Sequence, residues 1–163
     1  MTQLASLLAR LPELETELAD EYRGLGDRHA ADHDVYHQCQ SFARAAAERA
    51  RKVTPHAEKL GGSVDADGGH GLWSGMLEGA RRASSALLGR EPQSGLLLLR
   101  DLRQLLLAAE EVSIHWMLAG QGAQAARDAE LLELVTECHT EVETEAKWFT
   151  TRLKVAAPQV LMS

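Results

Sequence analysis

Leu4, Leu7, Leu11, Leu14, Leu18, Tyr22, Leu25 and His29 recur at steps of three and four, the spacing that aligns side chains along one stripe of an α-helix. The same period returns three more times. A second stripe runs through Tyr36, Cys39, Phe42 or Ala43, Ala46, Ala50, Val53, Ala57 and Leu60, and a third through Leu98, Leu102, Leu105, Ala109, Val112, Trp116 and Ala119. Leu131, Val135, Cys138, Val142, Phe149 and Ala156 form the fourth. A helix with one apolar stripe must bury it against a neighbour, and four such stripes can bury one another. The expectation is an all-α four-helix bundle. Leu, Ala, Glu, Arg and Gln dominate and aromatics are only 4%, so the residues that favour strands are too sparse for a sheet.

Punctuation sets the boundaries. The helices are expected at about 4–29, 32–60, 95–122 and 128–157, in one domain spanning residues 1–163. Pro12 either kinks the first helix or sits in the first turn of a fresh one, and Gly24 and Gly26 weaken its end. Asp32 and Asp128 are placed as N-caps, Gly61-Gly62 as a stop, Thr54-Pro55 as a kink, and Pro158 as the end of the last helix. Residues 61–94 form a long crossover between the second and third helices. They are expected to open with a glycine-rich turn that includes GGHG, then to carry a short amphipathic helix whose Trp73, Met76 and Leu77 dock it onto the bundle or form a partner surface. The third helix is apolar nearly all round in its first half, which implies a central place or a second subunit packed on it.

Composition also excludes partners. A formal charge of −7 without clustered Lys and Arg argues against nucleic acid, and no apolar run approaches the ~18 residues of a membrane span. Cys39 and Cys138 make no disulfide framework or CxxC pair, and the N-terminus lacks the basic region of a signal peptide. A cytoplasmic protein is expected.

Two helical hairpins, the long crossover, and a last hairpin reading EEVSIHWMLAGQGAQAARDAELLELVTECHTEVETEAKW resemble the ferritin-like superfamily over residues 4–157. The resemblance implies a core in which one Glu from each of two helices and a Glu-x-x-His from each of the others hold iron through carboxylate oxygens and imidazole nitrogens. This chain does not carry that full set. Asp34 and His37 are the nearest match in the second helix, but His37 lies about 160° from Cys39, in line with His33, on a polar face. In the third helix Glu111 and His115 stand one turn apart in a narrow polar strip. In the fourth, Glu141 has Thr144 where a histidine would be wanted, and His139 comes opposite Glu111 if the hairpin turns near Ala125. A parallel second and third helix would separate His33 and His37 from Glu111, His115 and His139. An up-down-up-down bundle would bring His37 level with His115.

Other polar groups fall on inward stripes. Tyr22 and His29 do so in the first helix, Glu145 and Arg152 in the fourth. A buried carboxylate must be paired or protonated, so Glu145 is expected to meet an arginine in a structural role, with no second inward carboxylate at its level. Cys39 and Cys138 read as small core residues. No phosphate loop, G-x-S-x-G, H-E-x-x-H or paired CxxC motif is found.

The chain is therefore expected to act by binding or self-association rather than catalysis, as a homodimer through the leucine-rich first half of the third helix. The alternative is a ferritin-like protein of iron storage, oxidation or stress protection, holding iron or another divalent transition metal through His33, His37, Glu111, His115 and His139. A third expectation is a small apolar ligand in a core lined by Ala and Gly.

Overall fold

The computed structural model describes residues 2–61 and 94–163. It contains four helices, α1 (Gln3–Arg28), α2 (His33–Lys59), α3 (Ser94–Ala126) and α4 (Ala129–Leu161), and no strand among the described residues. Their apolar stripes face inward and form a single core that includes Leu11, Tyr22, Val53, Leu105, Trp116 and Phe149.

Local chemistry fixes the ends. Thr2, Asp32 and Asp128 accept hydrogen bonds from the amides of Ala5, Val35 and Leu131, which satisfies a donor left over in each first turn. His29 is the C-cap of α1, so the α1–α2 turn needs only the four residues between Arg28 and His33. The α3–α4 turn is tighter still. Arg127 takes the left-handed conformation at φ 57° and Asp128 starts the next helix.

None of the expected interruptions at Pro12, Thr54-Pro55 and Pro158 ends its helix, and α2 runs on through Pro55 to Lys59. α1 runs unbroken through Pro12, because the turns before it are anchored by Leu8, fully buried, and by Leu4 packed on the core. α3 continues past Gly122 to Ala126; that glycine serves a close approach, since a Cβ there would lie 2.6 Å from Leu4 Cδ1. α4 passes through Pro158 to Leu161, with Val160 packed against Gly95, where a Cβ would lie 2.8 Å from Val160 Cγ2. In each case tertiary packing outweighs the local helix-breaking preference.

Cross-helix pairs give the directions. Leu4 lies against Gly122, Glu15 meets Trp116 and His29 meets Asp101, so α1 and α3 are antiparallel. Asp32 meets Arg152, Arg49 meets Glu145 and Lys52 meets Glu137, so α2 and α4 are antiparallel too. With short hairpin turns between α1 and α2 and between α3 and α4, it follows that α2 and α3 run in the same direction. The last residue of α2 and the first of α3 therefore lie at opposite ends of the bundle. The short helix expected between them, with Trp73, Met76 and Leu77, lies outside the described residues.

Candidate functional site

The middle of the bundle holds an ion cluster to which every helix contributes. Arg49 of α2 is fully buried, and so is Glu15 of α1, while Glu145 of α4 is 2% exposed. Arg49 Nε donates to Glu15 Oε1 at 2.8 Å and Nη2 to Glu15 Oε2 at 2.9 Å. On the other side Nη1 donates to Glu145 Oε1 at 2.7 Å and Nη2 to Glu145 Oε2 at 3.0 Å. A fifth bond, of 3.3 Å, runs from Nη1 to Glu141 at the cluster's rim. Since a guanidinium has five N–H donors, all are used, in two bidentate forks and one single bond. Trp116 Nε1 of α3 donates to Glu15 Oε1 at 2.5 Å, and Tyr22 OH donates to Glu145 Oε2 at 2.6 Å. Every oxygen of the two buried carboxylates thus has a donor.

Aromatic rings close one side of the cluster. Tyr22 stacks on Phe149 with centroids 5.6 Å apart and also touches Phe42, which meets Trp148 edge-on. The apolar wall weakens solvation of the charges and so strengthens their mutual attraction. Burial raises the pKa of Glu15 and of Glu145 above the ordinary carboxylate range, against the opposing pull of Arg49. Burial also disfavours charged Arg49, but the hydrogen bonds and charges of Glu15 and Glu145 outweigh it and hold the guanidinium protonated. Tyr22 is raised well above its usual value by burial and by Glu145.

A second, smaller cluster sits where α1 ends. Asp101 of α3 has a side chain 8% exposed and accepts from Arg28 Nε at 3.0 Å, with His29 Nε2 at 2.9 Å and Arg100 Nη2 at 3.2 Å. Burial alone would raise its carboxyl, but these three partners win and lower it to about 2.

The expected metal ligands are not brought together. His33 and His37 lie exposed on α2, rings stacked at 6.3 Å, beside a shallow cleft with Trp148 and Arg152. His139 is near the other end, its Nε2 3.1 Å from Ser113 Oγ and 3.8 Å from Glu143. Along a helix the separation from His37 amounts to about 20 Å. Glu111 does not meet His139, because the hairpin turns at Arg127–Asp128 and sets His139 against Ser113. Glu111 is exposed, and its carbonyl lies 2.9 Å from His115 Nδ1 one turn on. Among the described residues no group of three or more His, Cys, Asp or Glu is arranged to hold a metal.

The other inward assignments divide. Tyr22 and Glu145 are core residues, His29 has a side chain 11% exposed, and Arg152 is 26% exposed and pairs with Asp32 rather than with anything inside. Glu145 does have a second inward carboxylate at its level: Glu15, on the far side of Arg49. Cys39 and Cys138 are buried and unpaired, with burial pushing both thiols up to about 12.

Glu15, Arg49 and Asp101 escaped the sequence reading, and for Glu15 a signal existed. It lies about 40° from Leu11 around α1, between Leu8 and Tyr22, well inside the apolar arc. Arg49 falls about 60° from Ala46, at the arc's edge beside Phe42 and within a run of charges that otherwise faces water.

The fold and site together define a four-helix bundle whose core is tied by a buried arginine–carboxylate cluster. Comparison with known protein families, characterised proteins and solved structures gives no match. None of the helices, over the described residues, is long and apolar enough to cross a membrane.

Proposed function

We propose that this chain is a ferritin-like bundle that acts through self-association rather than catalysis, its core cation being the Arg49 guanidinium in place of a metal. The parallel course of α2 and α3 supports the ferritin-like reading, as does the convergence of acids from α1 and α4 on one cation at mid-bundle. Every oxygen of the two carboxylates accepts from Arg49, Trp116 or Tyr22, which suits a structural role. Buried, unpaired Cys39 and Cys138 suit a reducing, cytoplasmic setting.

The surface carries the reading. Leu96, Leu107, Ile114 and Leu118 are 44%, 54%, 51% and 47% exposed along the outside of α3. Large apolar side chains exposed at intervals along a water-facing helix mark an interaction face. They extend past the leucine-rich first half of α3 into its second half. Sedimentation velocity over the micromolar range tests the proposal: the average mass rises with concentration from one chain toward two. A single-chain mass at every concentration overturns it, and stoichiometric iron that disappears in His139→Ala replaces it with the metal reading.

A further inference from the structure

The charges interleaved with the exposed apolar side chains of α3 specify how two copies would meet. Taking Leu107 as the reference direction, Leu96, Arg100, Arg103, Glu111, Ile114 and Leu118 all lie within about 40° of it, and all are exposed. The core direction, through Leu105, Ala109 and Trp116, is opposite. Along this outer face the cations, Arg100 and Arg103, precede Leu107, and the acids, Glu110 and Glu111, follow it.

We infer that a second copy of this chain docks on this face in an antiparallel, two-fold arrangement centred on Leu107. Resting on the self-association proposed above, the inference adds orientation and register. A two-fold contact uses the same patch twice, so the patch must complement itself. With Leu107 on the axis, Leu96 comes level with the partner's Leu118, Arg103 with the partner's Glu111, and Arg100 with the partner's Ile114, beside its glutamates. Apolar groups meet at the middle and at both ends, and opposite charges meet between them. The alternatives are worse. A parallel pairing sets arginine against arginine and glutamate against glutamate. An antiparallel pairing moved half a heptad toward the C-terminus, so that Leu107 meets the partner's Ile114, sets Glu110 against the partner's Glu111. Like charges held level cost free energy and select against both.

Single cysteines placed on the exposed stripe read the geometry. The native thiols of Cys39 and Cys138 are buried, so the unmodified protein serves as the uncross-linked control. Under mild oxidation Leu107→Cys is expected to form a disulfide-linked dimer about tenfold or more faster than Ile114→Cys, because the two copies of position 114 stand about 21 Å apart, beyond disulfide reach. Sedimentation of Arg103→Glu is expected to show a dimer dissociation constant raised about threefold to tenfold, restored in Arg103→Glu/Glu111→Arg. Equal or faster cross-linking at position 114 overturns the antiparallel register. A concentration-dependent dimer that cross-links at neither position overturns the choice of face while leaving self-association standing. A single chain at all concentrations overturns both and assigns the stripe to a different partner.

Discussion

Replacing Arg49 with methionine keeps most of the aliphatic stem and removes the guanidinium. Four hydrogen bonds of 2.7–3.0 Å to two buried carboxylates are lost, and Glu15 and Glu145 remain with side chains 0% and 3% exposed and no counter-ion. Breaking a buried ion pair from one side costs about 3–5 kcal/mol, since the remaining charge is neither solvated nor compensated. The carboxylates can escape part of that penalty by binding protons, which makes the loss depend on pH. In the native protein burial already raises both pKa values above 4.5, and Arg49 opposes the rise; without it they move further up. Between the unfolded value and the folded one, the folded variant then holds more protons than the unfolded chain. Its stability therefore falls as pH rises, by up to about 1.4 kcal/mol per pH unit for each group. Urea unfolding followed by circular dichroism should show Arg49→Met losing several kcal/mol near about pH 8 and distinctly less near about pH 5. Replacing the whole cluster, Tyr22→Phe/Glu15→Leu/Arg49→Met/Glu145→Leu, should recover most of the loss, leaving only the Trp116 indole donor unpaired at about 1–3 kcal/mol. A loss below about 1 kcal/mol for Arg49→Met, or one equal at the two pH values, refutes the description of the cluster as a buried, mutually compensating unit.

Asp101→Asn should cost about 1–2 kcal/mol at neutral pH, less than the full value of its shift because Arg28 and Arg100 are half exposed. The native protein should lose that same contribution as pH falls from 3.8 toward about 2, where the folded carboxyl takes up its proton, and acid unfolding of the two proteins compared side by side measures it. Tyr22→Phe removes one donor from Glu145 and should destabilise by about 1–2 kcal/mol in urea unfolding, without altering the far-ultraviolet spectrum. Gly24→Ala should stabilise α1 by about 0.5–1 kcal/mol, since its new methyl meets only the movable end of Arg28. Gly26→Ala should gain nothing or lose stability, because its methyl would sit 3.2 Å from Cys39 Cβ and 3.4 Å from the Tyr36 carbonyl; thermal melts of the two variants separate them.

What was legible in the sequence follows from which forces are local. Apolar period and capping residues are local, and they located four helices and the junction at His29 and Asp32 to within a few residues. α3 and α4 run past their expected ends at 122 and 157 because of contacts far apart in the chain, Gly122 with Leu4 and Val160 with Gly95. The ion cluster was half visible for the same reason. Glu145 stood out on an apolar arc, but a charge inside an arc shows only that a partner is needed. Arg49 and Glu15, 96 and 130 positions away, are found only once the helices are assembled. The expected metal ligands stay apart for two reasons: parallel α2 and α3 carry His37 away from His139, and the register of the α3–α4 turn sets His139 against Ser113 and not Glu111.

Direction itself is written in charges nearer the ends of the helices. The Arg49 cluster sits close to the middle of α1, α2 and α4, so reversing α3 and α4, each in its own place, would keep Glu145 near Arg49. The outer pairs would not survive that reversal. Arg152 would leave Asp32 and come level with Lys52, cation against cation, while Glu137 would leave Lys52 for Asp32, acid against acid. His29 and Arg28 would also lose Asp101, which is nearly buried and, among the described residues, keeps only Arg100 as a cation within reach. Each exposed pair is worth at most about 1 kcal/mol in the native arrangement, but reversal turns attraction into repulsion at both ends and strands one buried carboxylate. The central cluster thus holds the helices together without choosing between the two arrangements, and the pairs toward the ends make the choice.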